Sequence, residues 1–308
     1  MIEVLKPGLL TTVQDAGRPG HRASGMPVAG AADRQALRAA NLLAGNEPGA
    51  AALELTLLGG TFLFDEEGIA ALAGANMAAT LDGAPVSTGV PFRVAAGATL
   101  VLQGAARGMR AYLAVRGGIA VPPLLGSRST YLRACFGGFE GRALRAGDRL
   151  PVGGAAGAPR TFTPAECALP PLPYPGDAVT LRVILGPQDD RVDPEGMETL
   201  LATRWNVTPQ NDRMGYRLDG PPVRLRGGAD IVTDAVVPGA VQVAGDGKPM
   251  VLLVDCQTTG GYVKPFTVIG PDLRRMAQAR AGDAVRFKPC TQDEATAALA
   301  EERRWPST

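Results

Sequence analysis

Two polar, glycine-flanked stretches carry most of the chemistry this chain has to offer. One reads Asp255-Cys256-Gln257-Thr258-Thr259-Gly260-Gly261-Tyr262; the other reads Ser127-Arg128-Ser129-Thr130-Tyr131 and runs on to Gly141. Their side chains supply hydrogen bonds and carboxylate or guanidinium electrostatics. Asp255 can orient a group or take a proton, Gln257, Thr258 and Thr259 can hold an amide or a carboxylate, and Arg128 or Arg213 can pair an anion. The competing reading is a pair of loops whose Thr and Asp side chains satisfy their own backbone. Asp33, Arg34 and Asn41 form a third candidate group, although an aspartate at a helix start also favours the helix dipole. Cys256 has no base beside it in sequence and reads as a buried thiol.

Other chemistry is poorly provided for. The single histidine, His21, cannot build a His-rich metal site and reads as a loop residue. Cys135, Cys167, Cys256 and Cys290 show no CxxC spacing, so no metal site is expected. There is no GxSxG nucleophile elbow. Gly245-Asp246-Gly247-Lys248-Pro249 lacks the upstream glycine and the Ser/Thr after Lys of a phosphate loop. Thirty-one basic residues balance thirty acidic ones, which argues against nucleic acid or an anionic membrane surface as the main partner. No apolar run reaches the ~18 residues of a membrane span, and Met1 to Pro7 lacks a secretory apolar region. The expected location is cytoplasmic.

The elements that must position these loops are mainly strands. Gly (40) and Pro (26) make up about a fifth of the 308 residues without a collagen period, which suits many short strands joined by turns. Leu53, Leu55 and Leu57 alternate with Glu54 and Thr56, and Val179, Leu181, Val183 and Leu185 alternate with Thr180, Arg182 and Ile184, as half-buried strands do. Thr99 to Gln103 and Met250 to Val254 read as buried strands. Helices are expected at Ala31 to Ala44 with Gly45 as its cap, from Asp193-Pro194 towards Trp205, from Pro271 to Arg280, and at Ala295 to Arg304 behind the capping box Thr291 to Glu294.

The sequence also echoes itself. Leu81-Asp82-Gly83-Ala84-Pro85-Val86 returns as Leu218-Asp219-Gly220-Pro221-Pro222-Val223 at an offset of 137, Gly108 to Val115 aligns with Gly247 to Val254 at 139, and Arg145-Ala146-Gly147-Asp148 recurs as Arg280-Ala281-Gly282-Asp283 at 135. Ordered matches at a nearly constant offset predict two related β-rich subdomains: residues 1–155 and 177–290, joined by a Pro/Gly-rich linker at 156–176 and followed by a helix and tail at 291–308. The two candidate stretches are where the halves differ in length, and loops on a rigid scaffold are common homes for binding groups.

Further motifs give these loops a family setting. Pro7 to Gly20, Gly25 to Asp33 and Leu37 to Asn41, followed by Gly126 to Tyr131, Asp212-Arg213-Met214-Gly215 and Gln257 to Tyr262, resemble the KipA family of 5-oxoprolinase C components (PxpC), also called allophanate hydrolase subunit 2-like. The match covers roughly residues 3–288 and extends to the carboxyltransferase subdomains A and B of urea carboxylase. The resemblance implies two cyclophilin-like β-barrel subdomains. It implies a complex with a KipI-like B component and a LamB/YcsF-like A component, in which ATP drives the ring opening of 5-oxoproline to L-glutamate. Asp255 and Arg213 would then serve catalysis, and Arg128, Ser129, Thr130, Tyr131, Gln257, Thr258, Thr259, Tyr262, Asp33, Arg34 and Asn41 would serve substrate binding. The family offers two other roles: a KipA-like antagonist of a KipI-like kinase inhibitor, or the carboxyltransferase part of a urea carboxylase-like, biotin-dependent system. The chain has no Met-Lys dipeptide, so biotin would arrive on another protein.

Overall fold

The computed structural model describes residues 1–154, 162–171 and 178–305. Among the described residues strands hold 37% and helices 17%, so the fold is mainly β with a few short helices. It divides into two compact units, Met1–Pro19 with Ala29–Leu172, and Gly20–Val28 with Pro173–Thr308. Of the linker expected at 156–176, residues 156–161 and 172–176 lie outside the described residues, as do 306–308 of the tail.

The first unit contains β1 (Ile2–Lys6), β2 (Leu10–Gln14), β3 (Ala52–Thr56), β4 (Thr61–Phe64), β5 (Gly68–Asn76), β6 (Thr80–Leu81), β7 (Ala84–Pro85), β8 (Phe92–Val94), β9 (Thr99–Val101), β10 (Arg107–Val115) and β11 (Arg149–Leu150), with helix α1 (Arg34–Ala44) between β2 and β3. One sheet runs β11-β1-β4-β9-β6-β7 and the other β2-β3-β10-β5-β8. Ile2, Val4, Phe62, Phe64 and Leu100 from the first pack with Val13, Leu53, Leu55, Leu72 and Leu113 from the second in one core. Each such side chain stabilises the fold by roughly 1.5–3 kcal/mol on burial. Helix α1 starts three residues later than expected, with Asp33 capping it by accepting from the Ala36 amide at 2.9 Å.

The alternation at β3 misleads. The strand is buried on both faces, and the segment leading into α1 reaches its outer side, where the Ala32 amide meets Glu54. Glu54 is therefore inside. It accepts from the amide of Ala32 (3.0 Å) and from the Tyr112 hydroxyl (2.6 Å), and Arg110 Nε lies 3.6 Å from its other oxygen. Burial, and then the Glu54 charge, push the Tyr112 phenol well above its ordinary pKa.

The second unit contains β12 (Ala178–Leu185), α2 (Pro194–Ala202), β13 (Trp205–Asn211), β14 (Gly215–Asp219), β15 (Asp230–Ala235), β16 (Ala240–Val243), β17 (Pro249–Leu252), β18 (Thr259–Val268), α3 (Leu273–Ala277), β19 (Ala284–Pro289) and α4 (Gln292–Arg304). Its strands run β12-β19-β13-β14-β17-β16-β18-β15, and β12 also pairs with β18. That last pairing closes a ring of seven strands and leaves β15 outside it, attached through β18. Closure removes the free edges that an open sheet would present. Asp193 caps α2 by accepting from the Gly196 amide, and Thr291 and Glu294 form the expected capping box on α4.

The sequence echoes divide into a structural match and a mismatch. At Arg145–Asp148 and Arg280–Asp283 the aspartate accepts from the arginine amide (2.7 and 2.8 Å), and the turn bonds a valine, Val4 or Val207, through the same two backbone hydrogen bonds. Leu81-Asp82-Gly83-Ala84 is different from its partner. It turns tightly between β6 and β7, with Asp82 and Gly83 at positive φ (50° and 82°). Leu218-Asp219 ends β14, and Pro221 then stands where the first copy has Ala84, so the amide that Ala84 brings to its pairing with Leu81 is missing.

Candidate functional site

In the first unit the Ser127–Tyr131 stretch is organised around one carboxylate. Asp15, at the end of β2, accepts from Ser127 Oγ (2.6 Å), from Ser129 Oγ, and from the amides of Arg128 (2.5 Å) and Gly17 (2.8 Å). Ser127, Ser129 and Thr130 are buried, and the Thr130 hydroxyl donates to the carbonyl of Val13 (3.0 Å). Arg18 is fully buried, donates to the Ser129 carbonyl, and lies over the Phe136 ring, 5.1 Å from its centre. Gly137 has φ +69°, and a Cβ there would meet Arg18 Nη2 at 2.8 Å, so glycine is what lets the Phe136–Gly141 loop close over the hub. The result is a rigid loop that turns Arg128 outward. Its guanidinium is exposed and tied by one bond, from Nε to the carbonyl of Val121 (2.8 Å). Tyr131 is half-buried and pairs with Phe136 through two backbone bonds.

The third candidate group lies in the same unit with other duties. Asp33 is buried as the α1 cap. Asn41 is also buried; it donates to the carbonyl of Ala50 (2.8 Å) and accepts from Asn46 (3.1 Å), which pins the turn after α1. Arg34 is exposed at the first residue of the helix.

The second unit gathers the other candidates. Arg213 and Asp255 form a buried two-point ion pair, Nε to Oδ2 at 2.8 Å and Nη2 to Oδ1 at 3.0 Å. The backbone joins them too, since the Asp255 amide donates to the Arg213 carbonyl (3.0 Å). This clamp fixes where the Gln257–Tyr262 segment leaves the core. Gln257 and Thr258 are half-buried, while Thr259 and Tyr262 are exposed at the start of β18. Cys256 is buried, and burial pushes its thiol up to about 11 despite the opposing Arg22 charge. At neutral pH it is a protonated thiol, not a nucleophile.

Three residues escaped the sequence reading. Arg22, in a short 3-10 turn (Arg22–Ser24), donates through Nη2 to the carbonyls of Val236 and Gln257. Lys264 is buried on β18 and reaches Asp234 at 3.2 Å; the Ala235 amide, and then Lys264, hold that carboxyl below its usual range. Gln242 on β16 is 1% exposed, and neither of its amide atoms has a partner. A buried polar group left unpaired costs about 1–3 kcal/mol, so it calls for an explanation. Arg22 had a signal, because it adjoins the Pro7–Gly20 motif. Gln242 had none, since it stands in an ordinary strand between Val241 and Val243.

Comparison with known proteins gives these sites a context. A family model described as carboxyltransferase domain, subdomain A and B, matches residues 24–289. The chain is 40% identical over 305 residues to the C component of 5-oxoprolinase from Escherichia coli (strain K12), covering 99% of this chain and 96% of that protein. It is 36% identical over 295 residues to the C component of 5-oxoprolinase from Haemophilus influenzae, covering 96% and 93%. The crystal structure of the Kluyveromyces lactis urea carboxylase superposes with a TM-score of 0.93 at 31% identity, over 99% of this chain and 29% of that one. The match thus takes in nearly all of each 5-oxoprolinase component and under a third of the urea carboxylase. The chain belongs to the carboxyltransferase-domain family of subdomains A and B, and within it aligns along almost its whole length with the C components of 5-oxoprolinase.

Proposed function

We propose that the chain acts as the C component of an ATP-dependent 5-oxoprolinase, opening the lactam ring of 5-oxoproline to give L-glutamate, and that it does so together with a KipI-like B component and a LamB/YcsF-like A component. The observation that carries this reading is the match to 96% of the Escherichia coli C component, a protein of the same extent as this chain. The chemistry on offer agrees with it. A five-membered lactam is an unstrained amide and a weak electrophile, so ATP activates its carbonyl. What this chain contributes is recognition of a small polar amide by Gln257, Thr258, Thr259 and Tyr262, on a loop held in place by Arg213 and Asp255. The test is to mix the chain with its two partners and measure 5-oxoproline-dependent ATP hydrolysis. The chain alone is expected to be inactive and the three-protein mixture active; an inactive mixture that is well folded and assembled overturns the reading.

A second reading is supported by the urea carboxylase superposition. It is carboxyl transfer from a biotin carried on another protein to a small amide acceptor. Both readings place a neutral amide at the site. They part on what is consumed, because carboxyl transfer requires carboxybiotin and proceeds without added 5-oxoproline.

A further inference from the structure

Gln242 and Arg22 share an unusual condition in the second unit. The carboxamide of Gln242 is sealed from solvent with both its oxygen and its nitrogen unpartnered, and Arg22 has a buried Nη1 in the same state. Val236 stands between them. Its carbonyl accepts from Arg22, its amide donates to the Thr258 carbonyl (3.0 Å), and its side chain borders Gly260. A Cβ on Gly260 would lie 2.6 Å from Gln242 Nε2, 3.2 Å from Val236 Cγ1 and 3.5 Å from Gln257 Nε2, so two carboxamides converge on this glycine, which packs against them too closely to admit a methyl. Gln257 is half-exposed and Gln242 is buried, one on each side of the Gly260 backbone in depth. The cover is also the least secured part of β18. Pairing with β16 ends at Val243–Val263, and beyond it Gly260 is paired with Asp234 on β15, the exposed strand outside the ring.

We infer that Arg22 and Gln242 form a two-part receptor for a cis-amide that carries a carboxylate, reached when the Thr259–Gly261 cover moves aside. A five-membered lactam holds its N–H and C=O on one edge. A carboxamide offers the complementary C=O and N–H on one edge, and the pair closes through two hydrogen bonds. Gln242 supplies that edge, and the spare Arg22 N–H takes the carboxylate that such a ligand bears next to its nitrogen. Burial makes the discrimination strong, because a ligand without the lactam leaves both atoms of Gln242 unpaired. The inference deepens the 5-oxoprolinase reading and rests on it for the identity of the ligand.

The experiment titrates the full chain with 5-oxoproline, 2-pyrrolidinone and proline, and follows the side-chain amide resonance of Gln242, assigned by its disappearance in Gln242→Met. A saturable shift is expected with 5-oxoproline, a weaker one with 2-pyrrolidinone, which lacks the carboxylate, and none with proline, which lacks the lactam. Gln242→Met is expected to raise the melting temperature, since it removes two unpaired buried atoms, and to weaken 5-oxoproline binding at least about tenfold, the equivalent of one net hydrogen bond. Absence of any shift with either lactam overturns the receptor. So does a Met variant that is more stable and binds 5-oxoproline as before, the behaviour of a glutamine that is only part of the core. If the lactams shift the resonance but the assembled three-protein mixture hydrolyses no ATP with 5-oxoproline, the receptor stands and the 5-oxoprolinase reading falls.

Discussion

Arg213 and Asp255 meet through two hydrogen bonds, 2.8 and 3.0 Å, with both side chains about 95% buried although they stand 42 positions apart in the sequence. Breaking a buried pair from one side strands a charge, which costs about 3–5 kcal/mol, whereas replacing both partners with apolar groups is often nearly neutral. Asp255→Leu and Arg213→Met are each expected to destabilise the second unit by about that amount. The double variant Arg213→Met/Asp255→Leu is expected to recover most of it. Urea unfolding curves of the four proteins check this, and strictly additive losses would show that the residues do not act as a pair. Arg213→Lys is expected to rescue little, because an ammonium cannot make the two-point contact.

The Asp15 hub makes a similar claim in the first unit. Four donors converge on one carboxylate there, two of them seryl hydroxyls. Hydrogen bonds to a charged acceptor contribute about 1.5–3 kcal/mol each, with partial overlap among them. Asp15→Ala is expected to lose at least about 3 kcal/mol, and Ser127→Ala or Ser129→Ala about 1–2 kcal/mol each. Hydrogen exchange should show faster opening of the amides of Arg128 and Gly17 in Asp15→Ala than in the parent, at equal global stability brought about by an osmolyte. Equal protection would mean that the loop is held by something other than Asp15.

Local signals made much of the fold legible. Asp193 and the Thr291–Glu294 box mark helix starts because capping is settled within four residues, and the dense Gly and Pro mark a β-rich chain, whereas apolar spacing alone set the start of α1 at Ala31, ahead of its Asp33 cap. Glu54 shows where this stops. Its place in an alternating strand predicts an exposed face, but Ala32, Tyr112 and Arg110 lie far away in sequence and make it an inside residue. The candidate loops are a middle case. Residue type and glycine spacing pointed to Gln257–Tyr262 and Ser127–Tyr131, but not to Asp15, whose carboxylate organises the second of these. Gln242 was beyond reach, since an unpaired buried amide is a property of the packed state and leaves no mark on the sequence around it.

Cys256 predicts a definite dependence on pH. Its thiol is pushed up to about 11 in the folded protein, against an ordinary value of 9.0. The unfolded chain therefore loses this proton first as pH rises, and stability falls between about pH 9 and pH 11 by roughly 2 kcal/mol on account of this thiol. Below pH 9 both states hold the proton and the effect vanishes. Cys256→Ser is expected to flatten that part of the profile, although Cys167, also near 11, keeps its own contribution. Thiol labelling at pH 8 gives a second check: Cys135 is exposed and is expected to react first, with Cys256 unreactive until the unit opens. Rapid modification of Cys256 in the folded chain would contradict this account.

Gly260 and Gly261 are adjacent in β18 and are expected to respond in opposite ways to alanine. A methyl on Gly260 would press on Gln242 Nε2 at 2.6 Å and Val236 Cγ1 at 3.2 Å, whereas one on Gly261 would meet the Ile231 carbonyl at 3.5 Å and Thr233 Oγ1 at 3.7 Å, which is ordinary packing. Overpacking of the first kind costs about 1–3 kcal/mol, and here it would press directly on the buried carboxamide. Gly260→Ala is expected to raise KM for 5-oxoproline in the assembled complex at least about tenfold, while Gly261→Ala stays within about twofold of the parent. Pairing Gly260→Ala with Gln242→Ala removes the group it collides with. If steric pressure on the backbone is the whole effect, that double variant regains the parent KM. If Gln242 reads the amide, the fold relaxes, the melting temperature recovers and KM stays high. Melting curves and steady-state kinetics on the same preparations separate these outcomes, because stability and affinity move together in the first case and apart in the second.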